Sequence, residues 1–498
     1  MDTNETLAAL REALAKAADP ALAKAWTQSA SATSGLTAYD LEAPAKTLYP
    51  VLTPLRNEIP RVGGGMGIQA NWRAITGINT ASVEAGVSQG NRGGVITTST
   101  ADYLAAYKGI GLEDYVTFEA EYAARGFDDV KARATQGLLR SLMIQEESII
   151  LGGNTSVALG TTPTPTIADI TTGGTLAANT AHRVICVALS YQGFRVSNVT
   201  SGVVASVTRT NADGSSDTYG GGAAQQSAAA SVTTANDSNA THGISAYVTP
   251  VRGAFAYAWF LGTTAGTERL ISITTLNSAR LMGLNGSGQL ASALPGADNS
   301  TNTYVFDGLL SQIAKSGSNA YYAAQATGTP GTGTPLTADT SGAVEEFDLA
   351  LKSFWDNWRL SPSEIWVSSQ EMGYLRKKVL TGAATMAQRF IFQATQGGLI
   401  GGSQIRGYIN PYTMGEAEML PIRMHPNLPA GVVMFLSKTL PYTLSGVTNV
   451  NQIRTRQEYY QLEWPMRSRK YEYGVYADEV LQCYAPFSMG MITNIAPG

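Results

Sequence analysis

Apolar positions in DDVKARATQGLLRSLMIQEESIIL, residues 128–151, recur with the period of a helix. Val130, Ala134, Leu138 and Leu142 fall four apart, Leu139, Met143 and Ile150 lie beside them, and Lys131, Arg133, Arg140 and Glu147 point elsewhere. The pattern predicts one long helix, with Asp128 capping its first free amides, Asp129 at the positive end of the dipole, and Gly152 and Gly153 stopping it. At 1.5 Å per residue, roughly 24 residues span about 36 Å, longer than the usual three turns. Such a helix is a spine for the rest of the chain. Glu146 and Glu147 fall in its last turns, where the dipole opposes anions, so they are expected to meet cations from another segment or another subunit.

Before the spine, Leu7, Leu10 and Leu14 predict a short amphipathic helix over 4–17. Residues 27–55 are rich in Ser, Thr and Ala, are punctuated by Pro44, Pro50 and Pro54, and carry no sustained period, which reads as an arm that orders only on another surface. Two alternating runs follow: Met66, Ile68, Ala70, Trp72 and Ala74 share one face of the first, and Tyr103, Ala105 and Tyr107 one face of the second. The polar, Gly-rich INTASVEAGVSQGNRGG between them makes this a long hairpin with a wide loop, marginal by itself in water. Trp72, Arg73 and Arg92 are the hairpin residues expected to reach a neighbouring subunit, the arginines as bridges to carboxylates. Residues 118–125 predict a short helix broken by Gly126.

After Asn154 the composition turns to Gly, Ala, Ser and Thr with short β-like runs as far as 302, the clearest at 182–190, 254–261 and 268–274, with turns near Gly193 and at 262–264. This predicts a separate β domain of the immunoglobulin or fibronectin sandwich kind, inserted at two ends that need only lie close together. From Tyr304 a mixed pattern returns. Residues 344–358 form a helix with Phe347, Leu351 and Trp355 on one face, Ser361-Pro362 ends it, 365–367 is a buried strand, and 370–380 is a second helix with Lys377 and Lys378 in its last turn. Strands are expected near 389–393, 403–409, 422–425 and 432–436, and a long antiparallel pair runs from Gln457 through Trp464-Pro465 to Tyr471, Tyr473 and Val475. The apolar run to Ile495 docks.

The chain has 498 residues, more than one typical core, and only 14% of them are charged, with a net charge of −4. That balance gives no basic footprint for nucleic acid. Cys186 and Cys483 belong to no C-x-x-C pair and read as buried thiols in a reducing compartment. MDTNETLAALREALAKAADP lacks an apolar signal core and no run approaches about 18 apolar residues, so neither export by that route nor a membrane is expected.

A catalytic reading finds little to build on. His182, His242 and His425 form no H-E-x-x-H pattern. Gly86-Val87-Ser88-Gln89-Gly90 matches G-x-S-x-G, but a nucleophile elbow needs a strand before it and a helix after it, and both flanks here are polar loop. Residues 65–70, GMGIQA, fit a loose dinucleotide spacing yet open a strand where that site needs a helix N-terminus. Glu345–Glu346 and Asp478–Glu479 are neighbours that face different ways and read as solvated or capping. No catalytic, cofactor or metal residue is assigned, and the chain is not expected to be an enzyme.

The order of the parts resembles a known family. The arm, the long hairpin, EAEYAARGFDD leading into the spine, then LSPSEIWVSSQEMGYLRKKVL and the closing RSRKYEYGVYADEVLQCYAP are similar to the major capsid protein of tailed bacteriophages, of the Hong Kong 97 fold, over roughly 1–154 and 303–498. The resemblance implies an α+β chain with an N-terminal arm (1–60), an extended loop (61–110), a peripheral domain with the spine helix (111–154 and 303–361), an axial domain (362–450) and C-terminal strands (451–498). The β-sandwich at 155–302 is then an immunoglobulin-like insertion on the outer surface. It implies a virion protein that assembles as pentamers and hexamers around double-stranded DNA without reading its sequence, with a portal and a separate scaffolding or decoration protein as partners and no cofactor. Trp72, Arg73, Arg92, Glu146 and Glu147 are the residues expected at assembly contacts. A phage tail or surface protein whose sandwich binds a receptor or glycan is the alternative.

Overall fold

The computed structural model describes residues 50–78, 83–126, 128–237, 241–294, 296–339, 342–381, 405–415 and 417–498. The helix expected over 4–17, the arm as far as residue 49 and the strand near 389–393 lie outside the described residues. The architecture is mixed α+β, and the described residues fall in two compact units, a smaller one over 116–133 and a larger one from 51–115 with 134–498.

In the smaller unit, helix Phe118–Ala124 starts at Thr117, whose Oγ1 accepts the Ala120 N–H, and stops before Gly126, which lies at φ +88°. The spine, Val130–Gly152, begins two residues later than the sequence predicts, because Asp129 and not Asp128 caps it. The Asp129 carboxylate accepts the Ala132 N–H at 3.1 Å, while Asp128 pairs with Arg133 at 2.8 Å.

The larger unit is built on two main sheets, the hairpin and the segment 155–302 that the sequence marks as an insert. A four-stranded sheet runs in the order Arg61–Val62, Asn451–Glu463, Lys470–Cys483, Lys108–Thr117. Its centre is the long antiparallel pair foreseen near the C-terminus, with Ile453 opposite Leu481 and Gln461 opposite Val475. The short strand at Arg61 joins it in parallel, opposite Ile453 and Arg454, so the first two residues of the expected extended loop are part of this sheet.

A six-stranded sheet runs Tyr321–Ala324, Gly490–Thr493, Val433–Leu436, Glu364–Val367, Glu418–Met424, Gly407–Asn410. It draws its first two strands from outside the 362–450 segment expected to form the axial domain. Strand alternation gives it two buried faces. Ile365, Val367, Val433 and Phe435 meet Phe347, Ala350, Leu351 and Phe354 of helix Glu345–Trp358, whereas Trp366, Met434, Leu436 and Met491 meet Leu309, Leu310 and Ile313 of helix Leu309–Ala314. Each such side chain contributes about 1.5–3 kcal/mol by leaving water. Arg359, in the left-handed region at φ 51°, turns the chain out of the longer helix ahead of Ser361-Pro362.

The hairpin forms from Gln69–Ile78 and Thr98–Ala106, with Trp72 opposite Tyr103, Arg73 opposite Asp102 and a bulge between Ile75 and Gly77. The insert places a three-stranded sheet (Ser278–Leu281, Gly243–Tyr247, Thr166–Ile170) and a four-stranded sheet (Arg269–Thr274, Ala256–Gly262, Ala181–Leu189, Ala230–Thr233) around a shared core. Val184, Cys186, Tyr257, Trp259 and Leu261 point into that core; Ile185, Val187, Ala258 and Phe260 point the other way and are covered in turn by Val203, Ala291 and Leu294. The central strands are thus buried on both faces, unlike a two-layer sandwich with a solvated outer side. The turn expected near Gly193 is a short helix, Tyr191–Val196, capped by the Ser190 side chain. The insert's two ends meet directly, the Asn302 N–H donating to the Asn154 carbonyl at 2.7 Å.

Candidate functional site

Residues 53–62, TPLRNEIPRV, are where the charged groups of the molecule converge. Pro54 opens a five-residue helix, Pro54–Glu58, which drives Leu55 and Ile59 into the core. No side chain of the local sequence caps that helix; Glu147 of the spine does it from 92 positions away. Its carboxylate accepts the Leu55 N–H at 3.0 Å and the Arg56 N–H at 2.7 Å, and sits 2.7 Å from His425 Nε2. His425 Nδ1 accepts the Asn427 N–H, so the ring proton lies on Nε2 and is donated to Glu147. Glu147, placed by helical periodicity on the outward side of the wheel, is therefore fully buried.

Glu146, also fully buried, accepts from Arg56 Nε at 2.9 Å and from the Tyr459 hydroxyl, and contacts the Arg61 guanidinium. Both guanidinium groups lie over the Tyr459 ring, at 5.3 Å for Arg56 and 4.9 Å for Arg61. Arg61 reaches on to Glu479 at 2.9 Å. Burial pushes the Glu479 carboxyl up and the Arg61 guanidinium pulls it down; burial wins. Glu479, read from its neighbour Asp478 as solvated or capping, is instead enclosed, and Asp478 on the other face pairs with Arg456 at 2.8 Å. At the far end of the segment Glu58 bonds Arg423 and Lys438, and both cations also stand 3.3 Å from the buried Glu364. One short segment is thus clasped by the spine, the four-stranded sheet and the six-stranded sheet.

The hairpin is held at its base. Trp72 stacks on Tyr103 (5.9 Å between centroids) and meets Tyr484 edge-on at 5.6 Å. Beneath it lies a cleft of about 660 Å³ lined by Trp72, Tyr103, Phe306, Trp358, Tyr484 and Phe487. Arg73 is taken up by Asp102 across the strands, at 2.6 and 2.9 Å; the two hold each other's charge, raising the guanidinium and lowering the carboxyl. Arg92 stands exposed in the loop and makes no ion pair among the described residues. The loop and distal strands expose Ile75 (69%), Val95 (85%), Ile96 (58%) and Leu104 (64%). Of the five residues expected at assembly contacts, Glu146 and Glu147 are committed inside the chain, Trp72 faces its own body, Arg73 is paired within the hairpin, and Arg92 is left to reach outward.

The remaining candidates are placed as follows. Ser88 lies in exposed loop, its Oγ accepting from Asn91, with no strand or helix beside it. Both Glu346 carboxylate oxygens accept the Thr337 N–H in the first turn of its helix. His242 bridges Asp237 (2.9 Å from Nε2) and Asp169 (3.0 Å from Nδ1), and Asp237 above all raises its pKa. His182 is buried with neither ring nitrogen partnered, and burial lowers its pKa. Among the described residues no group of three or more His, Cys, Asp or Glu side chains is disposed to hold a metal ion, and no helix is long and apolar enough to cross a membrane. Both cysteines are buried free thiols, Cys483 pushed up to about 12 by burial. Arg56, Arg61, Tyr459, Glu479 and His425 were not singled out as a group by sequence reasoning; they come from four segments with no shared spacing.

No family model matches this chain, and no curated protein sequence does. Among solved structures it is similar to the capsid of a native GTA particle, at 9% identity over 95% of this chain and 100% of that one, with a TM-score of 0.42. The capsid of the Myoviridae phage XM1 follows at 9% identity over 91% and 95%, TM-score 0.39, and the holo-SrpI encapsulin complex of Synechococcus elongatus at 8% over 91% and 93%, TM-score 0.37. Two are capsids and one is an encapsulin. Likeness at this level sets no residue of this chain beside a counterpart.

Proposed function

We propose that this chain is the major capsid protein of a tailed bacteriophage, a shell subunit of the Hong Kong 97 kind carrying an inserted immunoglobulin-like domain. The observation that carries the reading is the hairpin: a two-stranded ribbon, marginal alone, that presents Ile75, Ile78, Val95, Ile96 and Leu104 to solvent beyond a firmly clasped base. A neighbouring copy supplies the missing cover, and repetition of such modest contacts around a closed shell gives avidity. On this reading the subunits close as pentamers and hexamers into an icosahedral head around double-stranded DNA, joined by a portal and by a scaffolding or decoration protein encoded separately. The absence of any lysine between Lys46 and Lys108 leaves the hairpin loop without an amine nucleophile, so the shell is held without covalent links through that loop.

Negative-stain electron microscopy of the protein expressed alone, and with a scaffold candidate, tests the reading. Closed uniform shells, or rings of five and six, are expected; small monodisperse particles under both conditions overturn it. Heads boiled in SDS should run as monomer, and a ladder of multimers would refute the non-covalent shell.

A further inference from the structure

The segment 155–302 reads in the sequence as a detachable insertion, but its contacts with the body are those of a structural member. The turn Val251–Phe255, VRGAF, leaves the insert and enters the body's own core. Phe255 (5% exposed), and with it Tyr191 (3%), belongs to the same buried cluster as Leu309, Leu310, Ile313, Met434 and Met491. Beside it Arg252 donates from Nε to the Ala314 carbonyl at 2.7 Å and from Nη2 to the Ile313 carbonyl at 3.2 Å. These are the last carbonyls of helix Leu309–Ala314, which lack partners within the helix. The guanidinium plane also rests 4.6 Å from the Tyr322 ring centroid. Gly253 shapes the turn: it sits at φ +88°, a backbone conformation that side chains rarely adopt, and a Cβ there would press on Val157 and Leu159.

Two further points of attachment are as close. Asn277, 1% exposed, takes the Asn494 side-chain oxygen on its backbone N–H at 2.8 Å and donates from Nδ2 to Thr327 Oγ1 at 2.8 Å. Tyr191 lies flat on the end of the spine, where a Cβ on Gly152 would come within 2.3 Å of its ring. The joint between them is equally filled: Asp307 accepts from the Thr155 and Ser156 amides, and Ser311 Oγ donates to the Gly153 carbonyl.

We propose that the insert is a brace that the body needs in order to complete its fold, with the Val251–Phe255 turn as the foot that holds helix Leu309–Ala314 against the six-stranded sheet. A display module joined only at its two ends would bury no aromatic ring in its host and cap none of its helices. The foot does both.

Hydrogen exchange on the full-length chain, before any assembly, tests this apart from the capsid reading. Arg252→Ala removes two charge-assisted bonds, and exchange in Leu309–Ala314 should accelerate by about 10- to 100-fold, with strand Ala181–Leu189 unchanged. Arg252→Lys, which restores one cationic donor, should fall between; Arg209→Ala, on the exposed two-stranded ribbon of Ser206–Thr210 and Ser216–Gly220, should leave the helix as it was. Unchanged exchange in Leu309–Ala314 overturns the proposal. So does an equal acceleration in Ala181–Leu189, because the foot would then serve the insert's own stability rather than the body's. Phe255→Ala should behave as Arg252→Ala does or fail to accumulate as soluble protein, and a Phe255→Ala chain with native protection in that helix would count against the brace.

Discussion

Glu147 lies near the C-terminal end of a helix, where the dipole opposes an anion, yet it is fully buried because three donors converge on it: two backbone amides opening another helix, and His425. Removing the acceptor strands all of them. Glu147→Ala should therefore cost about 3–5 kcal/mol and Glu147→Gln distinctly less, since the amide oxygen still accepts. Urea titration of the free subunit measures both, and a loss below about 1 kcal/mol for Glu147→Ala would show the clasp to be dispensable. Glu371 is the converse case. It accepts from Gly431 and Gln370 through one oxygen while the other is buried without a partner, and burial pushes its pKa from 4.5 up to about 7. The folded chain thus holds a proton that the unfolded chain has lost between those values, so this group's contribution to stability falls as pH rises from about 4.5 through about 7. Glu371→Gln should be less sensitive to pH, gaining on the parent between pH 5 and pH 8. Melting curves at the two pH values decide it; parallel losses in both proteins would mean Glu371 is ionised throughout.

At the scale of elements, the hairpin is the part that a shell would change most. Its loop carries Arg92 in the open, so trypsin should cut there in the free subunit and not in assembled particles; equal cleavage in both would place the loop away from any neighbour. Elements of this kind were legible in the sequence because their signals are local. The four-residue spacing through Leu138 and Leu142, the spacing of Phe347 and Leu351 and the alternation through Trp72 and Tyr103 each need only a short window, and each element formed within a few residues of its expected bounds. What joins the elements was not legible. Glu147 and His425 are 278 positions apart, Arg61 and Glu479 418, and no periodicity reports a partner at that distance. Periodicity even placed Glu147 on the wrong side of the wheel, because a wheel ranks faces by hydropathy and a fully satisfied carboxylate is buried without being apolar. The same blindness hid the parallel pairing of Arg61 with Ile453, and the origin of two strands of the six-stranded sheet at 321 and 490.

For the whole molecule, the brace changes what a deletion should do. Replacing 155–302 by a short Gly/Ser link leaves the Ala314 carbonyl and the Asn494 side-chain oxygen without their donors and removes two aromatic rings from the main core, so the shortened chain should accumulate as insoluble protein and form no shells. Soluble shortened chains that still make closed particles would return the insert to a peripheral role. The joint also constrains how such a chain could be altered. Gly152, at the end of the spine, sits where a side chain would strike the Tyr191 ring of the segment 155–302. The seam is thus closely packed, with Gly152 leaving room for Tyr191 and Phe255 set in the main core. If the brace holds, 155–302 cannot be removed by a single clean excision, nor traded for an unrelated module of equal size, without rebuilding the surface beneath it.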